Sequence, residues 1–171
     1  MRQQGRDATA AYRGRRLTPP GHRAGSKKRA RSRWDYGPRM AVTVSAMFIC
    51  VHDPDAALGF YRDALGLEVR NDVASDGFRW VTVGAPGQDV NIVLSQPHGG
   101  RSPAEGDALL SLVTKGALQA AIFRSEDLDA TFEQVRASGA EVLAEPASQP
   151  WGARDCAFRD PSGNLVRIAQ A

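Results

Sequence analysis

Cysteine is nearly absent from this chain: Cys50 and Cys156 are the only two in 171 residues. That is too few for a disulfide framework, and the paired spacing of a zinc site is missing, so both are expected as reduced thiols. No run approaches the roughly 18 apolar residues of a membrane-spanning helix, and the N-terminus lacks the apolar centre of a secretory signal. A soluble, cytoplasmic protein without a membrane partner is expected. Histidine is scarce too, with His52 and His98 the only ones beyond residue 39. No Ser-His-Asp arrangement and no phosphate-cradling glycine loop is recognisable, which removes the commonest nucleophilic and nucleotide-binding constellations. His52 stands beside a helix cap and His98 beside a glycine linker, so both read as exposed loop residues. Asp160 reads as the Asx-turn residue of a hairpin rather than as an acid catalyst.

Acidic residues are missing from one end. Residues 1–39 hold twelve Lys or Arg against Asp7 and Asp35, a net of +10, whereas the remainder carries a net of −7. The overall +3 therefore conceals a basic tail on an acidic body. The tail is rich in Arg and Gly, contains Pro19-Pro20 and has almost no aliphatic periodicity, so it cannot repay its ordering entropy and is expected to be disordered. Its run Lys27-Lys28-Arg29-Ala30-Arg31 would release counterions from a nucleic acid, although such basic runs are weak signals and a nucleic-acid partner is not the favoured reading. An address signal, a cloning remnant, or a start codon placed upstream of a true first residue at Met40 are the competing accounts. Residues 40–171 are long enough for one well-buried domain.

Within that body a pattern recurs. Gly66-Leu67-Glu68-Val69 returns as Gly139-Ala140-Glu141-Val142, each copy closing a helix. In the first copy Val44 to Val51 reads as a strand, and Asp53 caps a helix whose first residue is Pro54, where a missing amide proton costs nothing. Ala57, Phe60, Tyr61 and Ala64 fall on one face of that helix, and Gly66 ends it. In the second copy Leu118 to Phe123 is the strand, Ser125 the expected cap, and Leu128, Phe132 and Val135 the buried stripe. Three short strands follow each helix: about Glu68–Val73, Phe78–Val83 and Asp89–Leu94, then Glu141–Ala144, Ala153–Phe158 and Leu165–Ala169, separated by turn-forming clusters. The expected class is α+β, two βαβββ modules at about 41–95 and 118–170. The linker 96–117 carries a helical patch near Leu109 to Val113 and is placed to overhang a site between them.

These residues resemble a known superfamily. Val51-His52-Asp53-Pro54-Asp55 with Phe60-Tyr61-Arg62-Asp63-Ala64-Leu65-Gly66-Leu67 is similar to the opening signature of the glyoxalase, bleomycin-resistance and extradiol-dioxygenase (vicinal oxygen chelate) proteins. Phe158-Arg159-Asp160-Pro161-Ser162-Gly163-Asn164 is similar to their closing hairpin. The resemblance implies two half-barrels curling round one cleft, and homodimers are common in the family. It also implies metal ligands on the first and last strand of each module. Counted from the motifs, those positions are Ala46, about Val93, Leu118-Gln119-Ala120-Ala121, and Arg167. None is a carboxylate or an imidazole, and a guanidinium repels a cation, so no metal cofactor is expected.

Strand alternation then suggests what lines the cleft instead. If Ala46 points inward, so do Phe48 and Cys50; if Arg167 does, so do Leu165 and Ala169. Pairing Phe158 with Leu165 and Cys156 with Arg167 adds Phe158, Cys156 and Arg154 to the same face. Asn91 would provide a polar floor, and Trp80 and Trp151 would stack on a flat ligand. Ordinary packing competes for each Trp, and a salt bridge to a neighbouring carboxylate competes for Arg167. Cys50 and Cys156 would approach one another as apolar filler. An anionic or carbonyl-bearing ligand suits the arginines. The leading expectation is metal-independent binding of a small planar or anionic molecule by a homodimer. The alternatives are a lyase, isomerase or dioxygenase with a non-standard site, and a regulatory module contacting nucleic acid through the tail. Nothing in the residues decides whether the chain is an enzyme.

Overall fold

A computed structural model describes residues 42–75 and 77–171; the basic tail expected over 1–39 lies outside the described residues. Each half builds the expected βαβββ order. The first module contains β1 (Ala46–Cys50), β2 (Glu68–Ser75), β3 (Phe78–Gly84) and β4 (Asn91–Ser95), paired in the order β1-β4-β3-β2. The second contains β5 (Gln119–Ser125), β6 (Glu141–Ser148), β7 (Arg154–Arg159) and β8 (Leu165–Gln170), paired β5-β8-β7-β6. In each module the first and last strands lie parallel and the other pairings are antiparallel. β2 and β6 run to eight residues each, longer than their apolar patterns suggest.

The helices follow from their ends. α1 (Pro54–Leu58) starts where the Asp53 carboxylate accepts the amides of Asp55 and Ala56, and it runs on as a π-helical stretch over Gly59–Ala64. Gly66 and Gly139, the repeated glycines, have φ of 75° and 85°. That is the left-handed conformation a side-chain-bearing residue resists and a helix terminus needs. α2 (Pro103–Thr114) fills the linker and is longer than the patch read from its leucines. Its start is a capping box between Ser102 and Glu105 with Pro103 at the first position, a sequence signal stronger than the apolar spacing. α3 (Leu128–Ala137) is capped by Asp127, not by the expected Ser125. The Asp127 carboxylate takes the Ala130 amide, while the Ser125 hydroxyl turns to Asp127 and Thr131.

One buried cluster runs through both modules. Ile49, Tyr61, Val81 and Leu94 from the first meet Phe132, Val135, Phe158 and Ile168 from the second on the helix side of the sheets. Strands β1 and β5, the adjacent edges of the two sheets, touch. A buried polar tie crosses the same boundary. The Tyr61 hydroxyl donates to Asp160 at 2.8 Å, and Asp160, 4% exposed, also accepts the amides of Ser162 and Asn164 and the side-chain amide of Asn164. Asn164 donates to the Cys50 carbonyl at 2.8 Å, and the His52 amide donates to the Ser162 hydroxyl at 3.2 Å. Burial, reinforced by the Asp160 carboxylate, holds the Tyr61 phenol far above its ordinary range, so it remains a donor. Asp160 is thus a structural acceptor in a turn, and the turn of one module grips the helix of the other.

Candidate functional site

Each sheet packs one face on helices and leaves the other open. In β1, Ile49 is buried while Ala46, Phe48 and Cys50 alternate onto the open face. In β4, Ile92 and Leu94 are buried while Asn91 and Val93 share that open face. The parallel register sets Ala46 against Asn91 and Phe48 against Val93. In β3, Val81 and Val83 face the core, which turns Trp80, Thr82 and Gly84 outward. Trp80 and Phe48 meet edge to face with ring centroids 6.2 Å apart, and Val73 stands opposite Trp80. Phe48 is nevertheless 64% exposed. An aromatic pair of this geometry contributes about 0.5–1.5 kcal/mol beyond its area when closed over, and here the pair is left open.

The second module departs from the expected register. The five-residue turn Asp160–Asn164 closes with the Asp160 amide on the Asn164 carbonyl at 3.0 Å, so Arg159 faces Leu165 and the ladder continues Phe158 to Val166, Ala157 to Arg167 and Cys156 to Ile168. The expected pairing of Phe158 with Leu165 is displaced by one residue, and in a strand one residue reverses the face. Phe158 and Cys156 therefore lie in the core, Phe158 tilted against Phe132 of α3. Arg154 likewise leaves the open face for an ion pair with Asp129 of α3 at 2.7 Å. Cys156 is buried and Cys50 half-buried on the opposite side of its sheet, so the two thiols do not share a face. Burial, with Asp155 adjacent, pushes the Cys156 thiol up to about 11, and burial also raises Cys50. Neither has the depressed pKa of a reactive thiol. Trp151 stands at the tip of the β6–β7 turn, 68% exposed.

Arg167 does face outward, and the competing expectation of a salt bridge to a neighbouring carboxylate is met by Asp155. Its guanidinium holds both oxygens of Asp155 at 3.1 Å, and Asp155, only 5% exposed, is held a second time by Gln149 at 2.8 Å. With the corrected register Asp155 becomes an open-face neighbour of Arg167 on the adjacent strand. Beside it Gln119, Ala120, Ala121, Ile122, Leu165 and Arg167 line a concavity of about 310 Å³. A wider groove of about 610 Å³ lies on the helix side, bounded by α1, Gly139 and the Asp160–Gly163 turn. Its one guanidinium, Arg159, is spent on Glu141 at 3.4 Å and on the Gly163 carbonyl at 2.7 Å, so the open faces offer the better recognition chemistry.

The sequence profile of the glyoxalase/bleomycin resistance protein/dioxygenase superfamily matches residues 42–168. The chain belongs to that superfamily. Among similar proteins of the superfamily's size, YurT of Bacillus subtilis (strain 168) is 30% identical over 132 residues, which is 77% of this chain and 99% of YurT. The crystal structure of UcmS2 superposes with a TM-score of 0.69 at 32% identity over 76% of this chain and 98% of that one. TnmS3, an antibiotic binding protein from Streptomyces sp. CB03234, superposes with a TM-score of 0.60 at 26% identity over 77% of this chain and 98% of its own. At the positions that the resemblance assigns to metal ligands stands no carboxylate or imidazole, and in the 118–121 stretch the Gln119 amide is the one side-chain oxygen. Ala46 and Val93 offer no ligand atom and Arg167 is a cation already bound to Asp155. Among the described residues no group of three or more His, Cys, Asp or Glu converges elsewhere, and no helix is long and apolar enough to cross a membrane.

Proposed function

We propose that this chain binds a flat organic molecule on the open faces of its sheets without a metal ion, working as a homodimer. The observation that carries the reading is the open Phe48–Trp80 pair on the first sheet; on the second, the position that the resemblance assigns to a metal ligand holds the neutralised Arg167–Asp155 couple. Aromatic faces hold planar groups at low entropic cost, and a few fixed polar groups orient them. The likeness to an antibiotic binding protein supports the same class of ligand. Ile122, 71% exposed on the edge strand β5, is a side chain that a second copy would shelter.

The test is a fluorescence titration of the full chain with planar aromatic antibiotics, alongside elemental analysis and light scattering. Saturable quenching of Trp80, abolished in Trp80→Leu, with substoichiometric Mn, Fe, Ni and Zn and a dimer mass, is the expected result. Stoichiometric metal whose removal abolishes binding would replace this reading with that of a metalloenzyme.

A further inference from the structure

Arg70 lies on the open face of the first sheet and is in no ion pair among the described residues. It occupies the bulge in β2: Val69 faces Val83 and Asn71 faces Thr82, which leaves Arg70 as the extra residue between them. A bulge re-aims a side chain that the ladder would otherwise direct by alternation. Here it lays the guanidinium across β3 on the open side. One terminal nitrogen donates to the Asn91 side-chain carbonyl at 3.0 Å, and the other donates to the Ala85 carbonyl at 3.0 Å and to the Gln88 carbonyl. Gly84 lies beneath it. A Cβ there would sit 2.4 Å from the guanidinium carbon, with no strained φ involved, so the glycine keeps open the bed in which the arginine lies.

All three of these acceptors are neutral. The arginines in ion pairs among the described residues are Arg62, Arg79, Arg136, Arg154, Arg159 and Arg167; Arg70, Arg101 and Arg124 are not among them, and of these three Arg70 is the one fixed across the sheet face of the Phe48–Trp80 module. Glu68, which faces Gly84 across the ladder, makes no ion pair with it either. The three bonds use three of the five N–H donors a guanidinium carries, leaving the Nε–H and one terminal N–H for a partner. A cation immobilised in advance, with its charge unanswered and two donors free, is the preorganised half of a charge-assisted hydrogen-bonded pair. Gly84 stands four strand steps beyond Trp80 along β3, about 13 Å at strand rise, which is the scale of a fused-ring acid.

Resting on the binding reading above, we infer that Arg70 selects the ligand: a polycyclic molecule whose carboxylate or phenolate seats on Arg70 while its rings cover Phe48 and Trp80. The experiment compares anthracenecarboxylate with its neutral methyl ester, each titrated against the full-length protein by tryptophan quenching. The carboxylate is expected to bind about tenfold to a hundredfold tighter than the ester, the difference one charge-assisted contact makes. Arg70→Gln should collapse that ratio towards one. Gly84→Ala should lower it while retaining the charge, because the added Cβ displaces the guanidinium. Arg62→Gln, in an exposed ion pair away from the face, should keep the wild-type ratio. Equal binding of the two probes, or a ratio that survives Arg70→Gln, overturns the assignment of Arg70 and leaves the binding reading intact. Quenching by neither probe overturns both.

Discussion

The two modules share strand order, parallel closure and a left-handed glycine after the helix, yet they treat Arg70 and Arg167 in opposite ways. In the second module Arg167 is bound to the buried Asp155, which Gln149 in turn secures. In the first, Arg70 is held only by neutral carbonyls above Gly84. The same side chain is thus a structural strut in one half and a receptor for charge in the other. What separates them is a single bulge and one buried carboxylate. The pseudo-symmetry fixes where side chains stand, and local partners decide what each can recognise.

The strongest way to disturb this arrangement is to cut the tie that joins the modules. Asp160→Ala removes the acceptor of four buried donors, Tyr61 among them, and should lower unfolding free energy by about 3–5 kcal/mol in urea titrations. A loss below about 1 kcal/mol would mean the modules cohere by apolar contact alone. Next, Asp155→Asn should convert the second face to the type of the first. It strands Arg167 at a cost of about 1–3 kcal/mol and should raise the affinity of the protein for anthracenecarboxylate, since an additional guanidinium becomes free. No gain would show that partnering is not what distinguishes the modules.

A third comparison concerns the thiols. Because Cys156 is raised from 9.0 to about 11, the unfolded chain loses this proton first as alkali is added. Stability therefore holds below pH 9.0 and falls as pH rises towards about 11, by about 1–3 kcal/mol from this group. The difference in slope between wild type and Cys156→Ala isolates that share. At about pH 8, iodoacetamide should modify the half-buried Cys50 before the buried Cys156, measured by peptide mass. The smallest expected effect is that of Arg167→Gln on the carboxylate-to-ester ratio, under about twofold, since its charge is already answered by Asp155.

Fold was legible because repetition and punctuation are local: Asp53-Pro54, Gly66, Gly139 and the Asp160–Asn164 turn each declare an element boundary in a few residues. The open face of the first module was legible for the same reason, as β1 alternates without interruption from Ala46 to Cys50. The second face was not, because its alternation is counted outward from a turn. Placing the closing pair at Phe158 rather than Arg159 sent Arg154, Cys156 and Phe158 to the wrong side and hid Asp155. The role of Arg70 is illegible in the sequence for a different reason. A bulge is defined by the partner strand, and nothing in Glu68-Val69-Arg70-Asn71 announces one. The one sign in the sequence is Gly84 ending the β-branched run Val81-Thr82-Val83, where a missing side chain leaves space for a neighbour.

The parallel pairings also set an order of events. β5 cannot find its hydrogen-bonding neighbour until β8, some forty residues later, has been made, and β8 then slots between β5 and β7 rather than adding at a rim. During synthesis the second sheet is consequently two separate pieces with bare inner margins. A transcript that stops before Leu165 would release a chain permanently gaping at its middle, open to adhesion by any extended strand it meets.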